Sequence, residues 1–160
     1  MDYLWTPWRY HYVSKAGGNT SCIFCEALKL KDDAESLILH RGKLCFIILN
    51  RFPYTTGHSM IAPFEHVGEL DKAAPEALAE MALLAQRLER ALGALYKPDG
   101  YNLGMNLGRV AGAGVADHLH LHVLPRWAGD TSFMTTVGET RLEPEDLATT
   151  YSKMKAQFAK

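Results

Sequence analysis

The 160-residue chain contains no apolar run near the roughly 20 residues needed to cross a bilayer. Its opening residues, MDYLWTPWRY, lack the apolar core of a secretory signal, so a cytoplasmic location and no membrane partner are expected. Charge excess is missing as well. With 17 basic and 18 acidic residues the formal net charge is -1, which argues against a nucleic-acid polymer or an anionic membrane surface as partner. A small anionic ligand held by local groups stays compatible with that balance. Cysteine is scarce, and its odd count of 3 suits reduced thiols or metal ligation better than a disulfide framework. No internal repeat, low-complexity tract or long polar linker divides the chain, and 48% apolar residues suffice for one core. A single domain over 1–160 is expected, with an aromatic arm over 1–21 ending in KAGGNTS, a core over 22–127, and a C-terminal loop and helix over 128–160.

Hydrophobic periodicity supplies the elements. FCEALKL reads as a short N-terminal amphipathic helix, and KLCFIIL (43–49) as a buried strand by its dense β-branched and aromatic content. Pro53 and Gly57 mark a turn, after which HSMIAP reads as the antiparallel return strand. Leu78, Met81, Leu84, Leu88, Leu92 and Leu95 recur at three- and four-residue spacing, predicting a long helix over 75–95 with Pro75 in its first turn. YNLGMNL (101–107) and HLHLHVLP (118–125) read as two further strands. Leu147, Tyr151, Met154 and Phe158 predict a terminal helix that packs on the body or on a partner subunit. The order strand, strand, long helix, strand, strand has no βαβ alternation, so an α+β fold with an antiparallel sheet follows.

His118, His120 and His122 alternate with Leu119, Leu121 and Val123. On a strand the three imidazoles share one face while the apolar residues enter the core. Such a row could be a polar strand face, a metal site, or a nucleophilic centre in which one neutral imidazole attacks phosphorus while its neighbours orient it and stabilise charge. Cys22 and Cys25, in CIFC, have the spacing of either a zinc pair or a redox disulfide, and nothing strand-like precedes them as a thioredoxin-like unit would require. Cys45, inside an apolar strand, reads as core. GRVAGAGVAD (108–117) is neither a P-loop nor a dinucleotide fingerprint, but Gly112 and Gly114 give its backbone freedom to approach phosphate oxygens.

HLHLHVL together with NRFPYTTGHSMIAPFEH, on opposite sides of the long helix, resembles the histidine-triad (HIT) family of nucleotide hydrolases and transferases over about 22–127. The resemblance implies an antiparallel sheet of about five strands with one long, one short N-terminal and one C-terminal helix. It also implies a small nucleotide substrate. On its motifs His120 matches the nucleophile, His122 its phosphate-side partner, His58 the supporting histidine and Asn50 the ribose-binding position. The same resemblance completes the cysteine pair with His66 and His118, giving a structural zinc site of Cys22, Cys25, His66 and His118.

Gly114 stands where many HIT hydrolases carry a glutamine, which turns the reading away from a simple dinucleoside-polyphosphate hydrolase. YLWTPWR, LNRFPYTTGH and PRWAGDTSFM look like the bacterial HIT branch with diadenosine tetraphosphate phosphorylase activity, in which inorganic phosphate is the acceptor. In that branch Trp127 and Asn106 match positions lining the phosphate or leaving-group region. A phosphoramidate or dinucleoside-polyphosphate hydrolase is the alternative enzyme. A non-catalytic nucleotide-binding or zinc-stabilised interaction protein is the alternative of another class. HIT proteins are commonly dimers, and Trp5, Trp8 and the terminal helix are candidate surfaces for a homodimer or higher homo-oligomer.

Overall fold

The computed structural model describes residues 21–131 and 144–159; Trp5, Trp8, most of the aromatic arm and the end of PRWAGDTSFM lie outside the described residues. The elements are α1 (Ile23–Lys29), α2 (Asp33–Ser36), β1 (Ile38–Arg41), β2 (Cys45–Leu49), β3 (Ser59–Pro63), α3 (Pro75–Tyr96), β4 (Gly100–Gly104), β5 (Leu121–Arg126) and α4 (Leu147–Phe158). The strands form one antiparallel sheet in the order β1-β2-β3-β5-β4, as expected for the α+β reading.

Register sorts the side chains. The pairs Ile47↔Ile61, Leu49↔Ser59 and Ser59↔Val123 put Cys45, Ile47, Ile61 and Val123 on one face. Phe46, Ile48, Met60, Ala62 and His122 share the other. The long helix α3 takes the first face, where the buried Cys45 thiol donates to the Ala77 carbonyl at 3.3 Å. Burial pushes that thiol up to about 12, so it is an inert core group. The second face receives Phe24 of α1 against Phe46, at 6.4 Å between ring centroids. The two faces therefore differ: the 22-residue α3 covers one, and among the described residues the other carries the histidines and meets the 7-residue α1, about two turns long.

Strand limits differ from the sequence expectation where backbone donors find other partners. The β2 strand begins at Cys45 rather than residue 43 because the N–H groups of Lys43, Leu44 and Cys45 all donate to the Glu80 carboxylate, at 2.8, 2.5 and 3.1 Å. Burial raises the Glu80 carboxyl, but these three donors outweigh it and hold the group below its ordinary value. Similarly, β5 begins at Leu121 rather than 118, since the Leu119 N–H leaves the ladder to donate to Val67 O at 2.6 Å. The β4 strand stops at Gly104, short of residue 107. The four-residue β1 and the turn of α2, capped by Asp32 accepting from the Ala34 N–H at 2.8 Å, have no counterpart in the strand and helix patterns read from sequence.

The terminal helix packs on the body, against α3 and β1. Asp146 caps it by accepting from the Thr149 N–H at 2.9 Å, and its Tyr151 hydroxyl donates to Ile38 O at 3.3 Å. At the other end of the sheet, Gly57 turns the chain into β3 with φ +81°, and a Cβ there would lie 2.8 Å from Leu92 Cδ2. Gly57→Ala is expected to lose about 1–3 kcal/mol, through left-handed backbone strain and the clash with α3, read as a lower urea midpoint. An unchanged midpoint would contradict this account of the turn.

Candidate active site

Each histidine of the row has a different hydrogen-bond partner, and the partners dictate the tautomers. His118 Nε2 lies 2.9 Å from the Pro63 carbonyl, so Nε2 carries the proton and Nδ1 presents a lone pair. His120 Nδ1 lies 2.8 Å from the His118 carbonyl, so here Nδ1 carries the proton and Nε2 presents the lone pair. His58 Nδ1 accepts from the Tyr54 N–H at 3.1 Å, which leaves its Nε2–H to donate to His122 Nδ1 at 2.9 Å. Neutral His122 then carries its remaining proton on Nε2. A nucleophilic nitrogen on His120 and an N–H donor on His122 thus stand side by side, with ring centroids 4.9 Å apart.

Asn50 fits the same chain. Its Oδ1 accepts from the Phe52 N–H at 3.0 Å, which orients Nδ2 towards His58 Nδ1 at 3.3 Å. The Tyr54 ring lies tilted against His58 at 4.7 Å between centroids and stacks on His122 at 6.3 Å. Burial, reinforced by the neighbouring charge of His120, pushes His122 down to about 4. Burial lowers His120 too, outweighing the opposing pull of its bond to the His118 carbonyl. Both imidazoles are therefore neutral near pH 7, the form in which His120 can attack and His122 can donate a hydrogen bond.

The second cluster joins the first through His118. Its Nδ1 lies 3.3 Å from Cys22 Sγ, 3.7 Å from Cys25 Sγ and 3.3 Å from His66 Nδ1, and Cys25 Sγ is 3.3 Å from His66 Nδ1. Ligands at 2.0–2.3 Å from a tetrahedral zinc ion lie roughly 3.3–3.8 Å apart, the range of these four distances, and all four ligand atoms lie within 4.8 Å of one another, so the residues could hold such an ion. Burial, followed by the hydrogen bond and charge of Cys22, raises the Cys25 thiol, and a bound cation would favour its thiolate.

The remaining expected residues are dispersed. Trp127 donates its Nε1–H to Tyr96 O at 3.2 Å and lines a cavity of about 850 Å³ that also has Tyr54, Thr55, Thr56, Leu124 and Arg126 in its wall. Asn106, Gly112 and Gly114 sit exposed on the connection from β4 to β5, Gly112 with φ +92°. Four contributors escaped the sequence reading: the Tyr54 N–H, the carbonyls of Pro63 and His118, and the Phe24 ring. The first three are backbone groups, for which side-chain identity gives no signal, and the fourth could have been found from its place between Cys22 and Cys25.

The HIT domain model matches residues 31–129, and with this site in place the chain belongs to the HIT family. It is 37% identical to the AP-4-A phosphorylase of Mycobacterium tuberculosis over 168 residues, covering 100% of this chain and 86% of that protein. It is 32% identical over 106 residues to an adenosine 5'-monophosphoramidase of Schizosaccharomyces pombe, covering 66% of this chain and 74% of that one. Among solved structures, a Zn-bound histidine triad family protein from Mycobacterium smegmatis superposes with a TM-score of 0.71 at 32% identity, covering 89% of this chain and 96% of that one.

Cys22→Ser removes one of the four converging ligand atoms. Lower metal content by elemental analysis and a melting temperature reduced by several degrees are the expected outcome. Metal-free wild-type protein that folds normally would contradict it.

Proposed function

We propose that the chain is a HIT-type nucleotide enzyme that transfers a nucleotidyl group from a dinucleoside polyphosphate, diadenosine tetraphosphate being the preferred substrate, through an intermediate on His120. The observation that carries this reading is the opposite protonation of neighbouring rings: His120 Nδ1–H is committed to the His118 carbonyl, and His122 Nδ1 to His58, so a bare Nε2 stands beside an Nε2–H.

In the first step the His120 Nε2 lone pair forms a bond to the α-phosphorus while the bond to the bridging oxygen breaks, releasing a nucleoside polyphosphate. His122 Nε2–H bonds the oxygen that gains charge, and His58, fixed by the Tyr54 N–H, keeps that proton facing the substrate. In the second step an oxygen of inorganic phosphate attacks phosphorus and the P–N bond breaks, restoring neutral His120 and yielding a nucleoside diphosphate. Water in the same position would yield a nucleoside monophosphate.

Asn50 Oδ1, already bonded to the Phe52 N–H, keeps a second lone pair for a ribose hydroxyl. Asn106, Gly112, Gly114 and Trp127 are assigned to the polyphosphate and acceptor side. Phosphate as acceptor is supported by the phosphorylase relative, whose similarity runs the full length of this chain. Hydrolysis of a nucleoside phosphoramidate is the second reading, favoured by the monophosphoramidase relative.

Cys22, Cys25, His66 and His118 would hold zinc, which supplies structural fastening and takes no part in the transfer. The same reading takes the 160 residues as one HIT domain, acting in the cytoplasm as a homodimer or higher homo-oligomer. Among the described residues no helix is long and apolar enough to cross a membrane.

The test is product analysis with diadenosine tetraphosphate. Labelled inorganic phosphate is expected to enter ADP, with AMP formed when phosphate is withheld, and His120→Ala is expected to lose about three or more orders of magnitude in turnover. Full turnover by His120→Ala would overturn the histidine mechanism. AMP as the product in saturating phosphate would replace the phosphorylase with a hydrolase, and nucleotide binding without turnover would favour a non-catalytic binder.

A further inference from the structure

The geometry points to Phe24 as a positioning residue for His120, an inference that rests on His120 being the nucleophile. Phe24 is 1% exposed, and its ring centroid lies 5.0 Å from those of both His118 and His120, tilted by 48° and 42°. Behind it stands Phe46 of the sheet, met edge-on at 6.4 Å.

An imidazole turns about a broad, nearly two-fold torsion, so hydrogen bonding and packing must select the ring orientation. A half-turn of the His120 ring would put Cδ2 and Cε1 where Nδ1 and Nε2 stand, which withdraws the bare nitrogen from the substrate side and breaks the bond to the His118 carbonyl that fixes the tautomer. The buried Nδ1–H bond to the His118 carbonyl opposes that turn by a population ratio on the order of 5- to 100-fold, and packing must supply the rest. His122 bounds the ring on a second side, in a T-shaped contact at 4.9 Å. Phe24 supplies the remaining wall.

The wall is rigid only because its helix is fastened. With 7 residues, α1 is too short to be stable alone. Cys22 and Cys25 bracket Phe24 and converge on His118 and His66, so the cysteine knuckle delivers the aromatic ring to the nucleophile. Knuckle and catalytic strand then act as one unit, coupled through packing as well as through His118 itself.

The test uses the full chain and diadenosine tetraphosphate, reading adenylyl-His120 formation in single turnover by intact mass, together with KM and metal content. For Phe24→Ala the attack rate constant is expected to fall on the order of 10- to 100-fold with KM and the metal-to-protein ratio unchanged, and Phe24→Leu is expected to recover most of the loss. The ¹⁵N resonances of His120 should show both tautomers in Phe24→Ala, where the wild type shows one. An attack rate within about twofold of wild type, a loss that parallels loss of metal, or a raised KM at constant rate would each overturn the positioning role. If the Ala protein does not fold, Phe24→Leu decides: a measurable second His120 tautomer with a rate lowered by less than about tenfold supports the role, and a single tautomer with an unchanged rate refutes it. Failure of the wild type to form any adduct would overturn the transferase reading itself, whereas equal adduct formation in wild type and variant removes only the role of Phe24.

Discussion

His118 is held from three directions, and both clusters depend on it. Its Nε2–H is anchored on the Pro63 carbonyl, its Nδ1 faces Cys22, Cys25 and His66, and its own carbonyl receives the Nδ1–H of His120. Moving the residue would disturb the cysteine cluster and the orientation of the neighbouring imidazole together. A buried histidine with both ring nitrogens and its carbonyl engaged is expensive to displace, because each lost partner leaves a desolvated donor or acceptor behind. The chain leaves the β-ladder at this point so that the Leu119 N–H can bond Val67 O, which places His118 beside the 63–67 connection that carries His66.

From that anchor the sheet distributes the other groups. Antiparallel pairing of β3 with β5 aligns Met60 with His122 and brings His58, just before β3, within 2.9 Å of His122. The turn before β3 supplies the Tyr54 N–H and the Asn50 amide that set the proton on His58. With α3 on the opposite face, the described residues that meet the histidine face include Phe24 of α1 and Tyr54 of the turn before β3. The long helix and the candidate site thereby lie on different sides of one sheet.

Much of this was legible in the sequence, for a physical reason. A period of two in HLHLHVL maps directly onto one strand face, and the spacing from Leu78 to Leu95 maps onto one helical stripe. Cys22 and Cys25 declared themselves by spacing, whereas His66 and His118 joined them only through the family resemblance, since 41 to 96 residues separate the partners brought together by folding. Hidden from any reading of side-chain types were the backbone groups that fix the tautomers: the Tyr54 N–H and the carbonyls of Pro63 and His118. The strand β1 was hidden too, since four residues are too few to display a period. Trp127 was legible only as a motif position on the phosphate or leaving-group side; that its indole N–H donates to Tyr96 O at the end of α3 and that it lines a cavity together with Tyr54 follow from the fold.

The arrangement rests on like side chains that hold their protons on different nitrogens, His120 on Nδ1 and its neighbours on Nε2. Imidazole ¹⁵N correlation spectra of the wild-type protein at pH 7 address it most directly. The predicted result is neutral His120 with its proton on Nδ1, and neutral His122 and His58 with theirs on Nε2. On acidification His122 should stay neutral until about pH 4, below its ordinary value of 6.5, because burial disfavours its charged form. His120 protonated on Nε2, or cationic at pH 7, would contradict the account, since no bare nitrogen would then face the substrate.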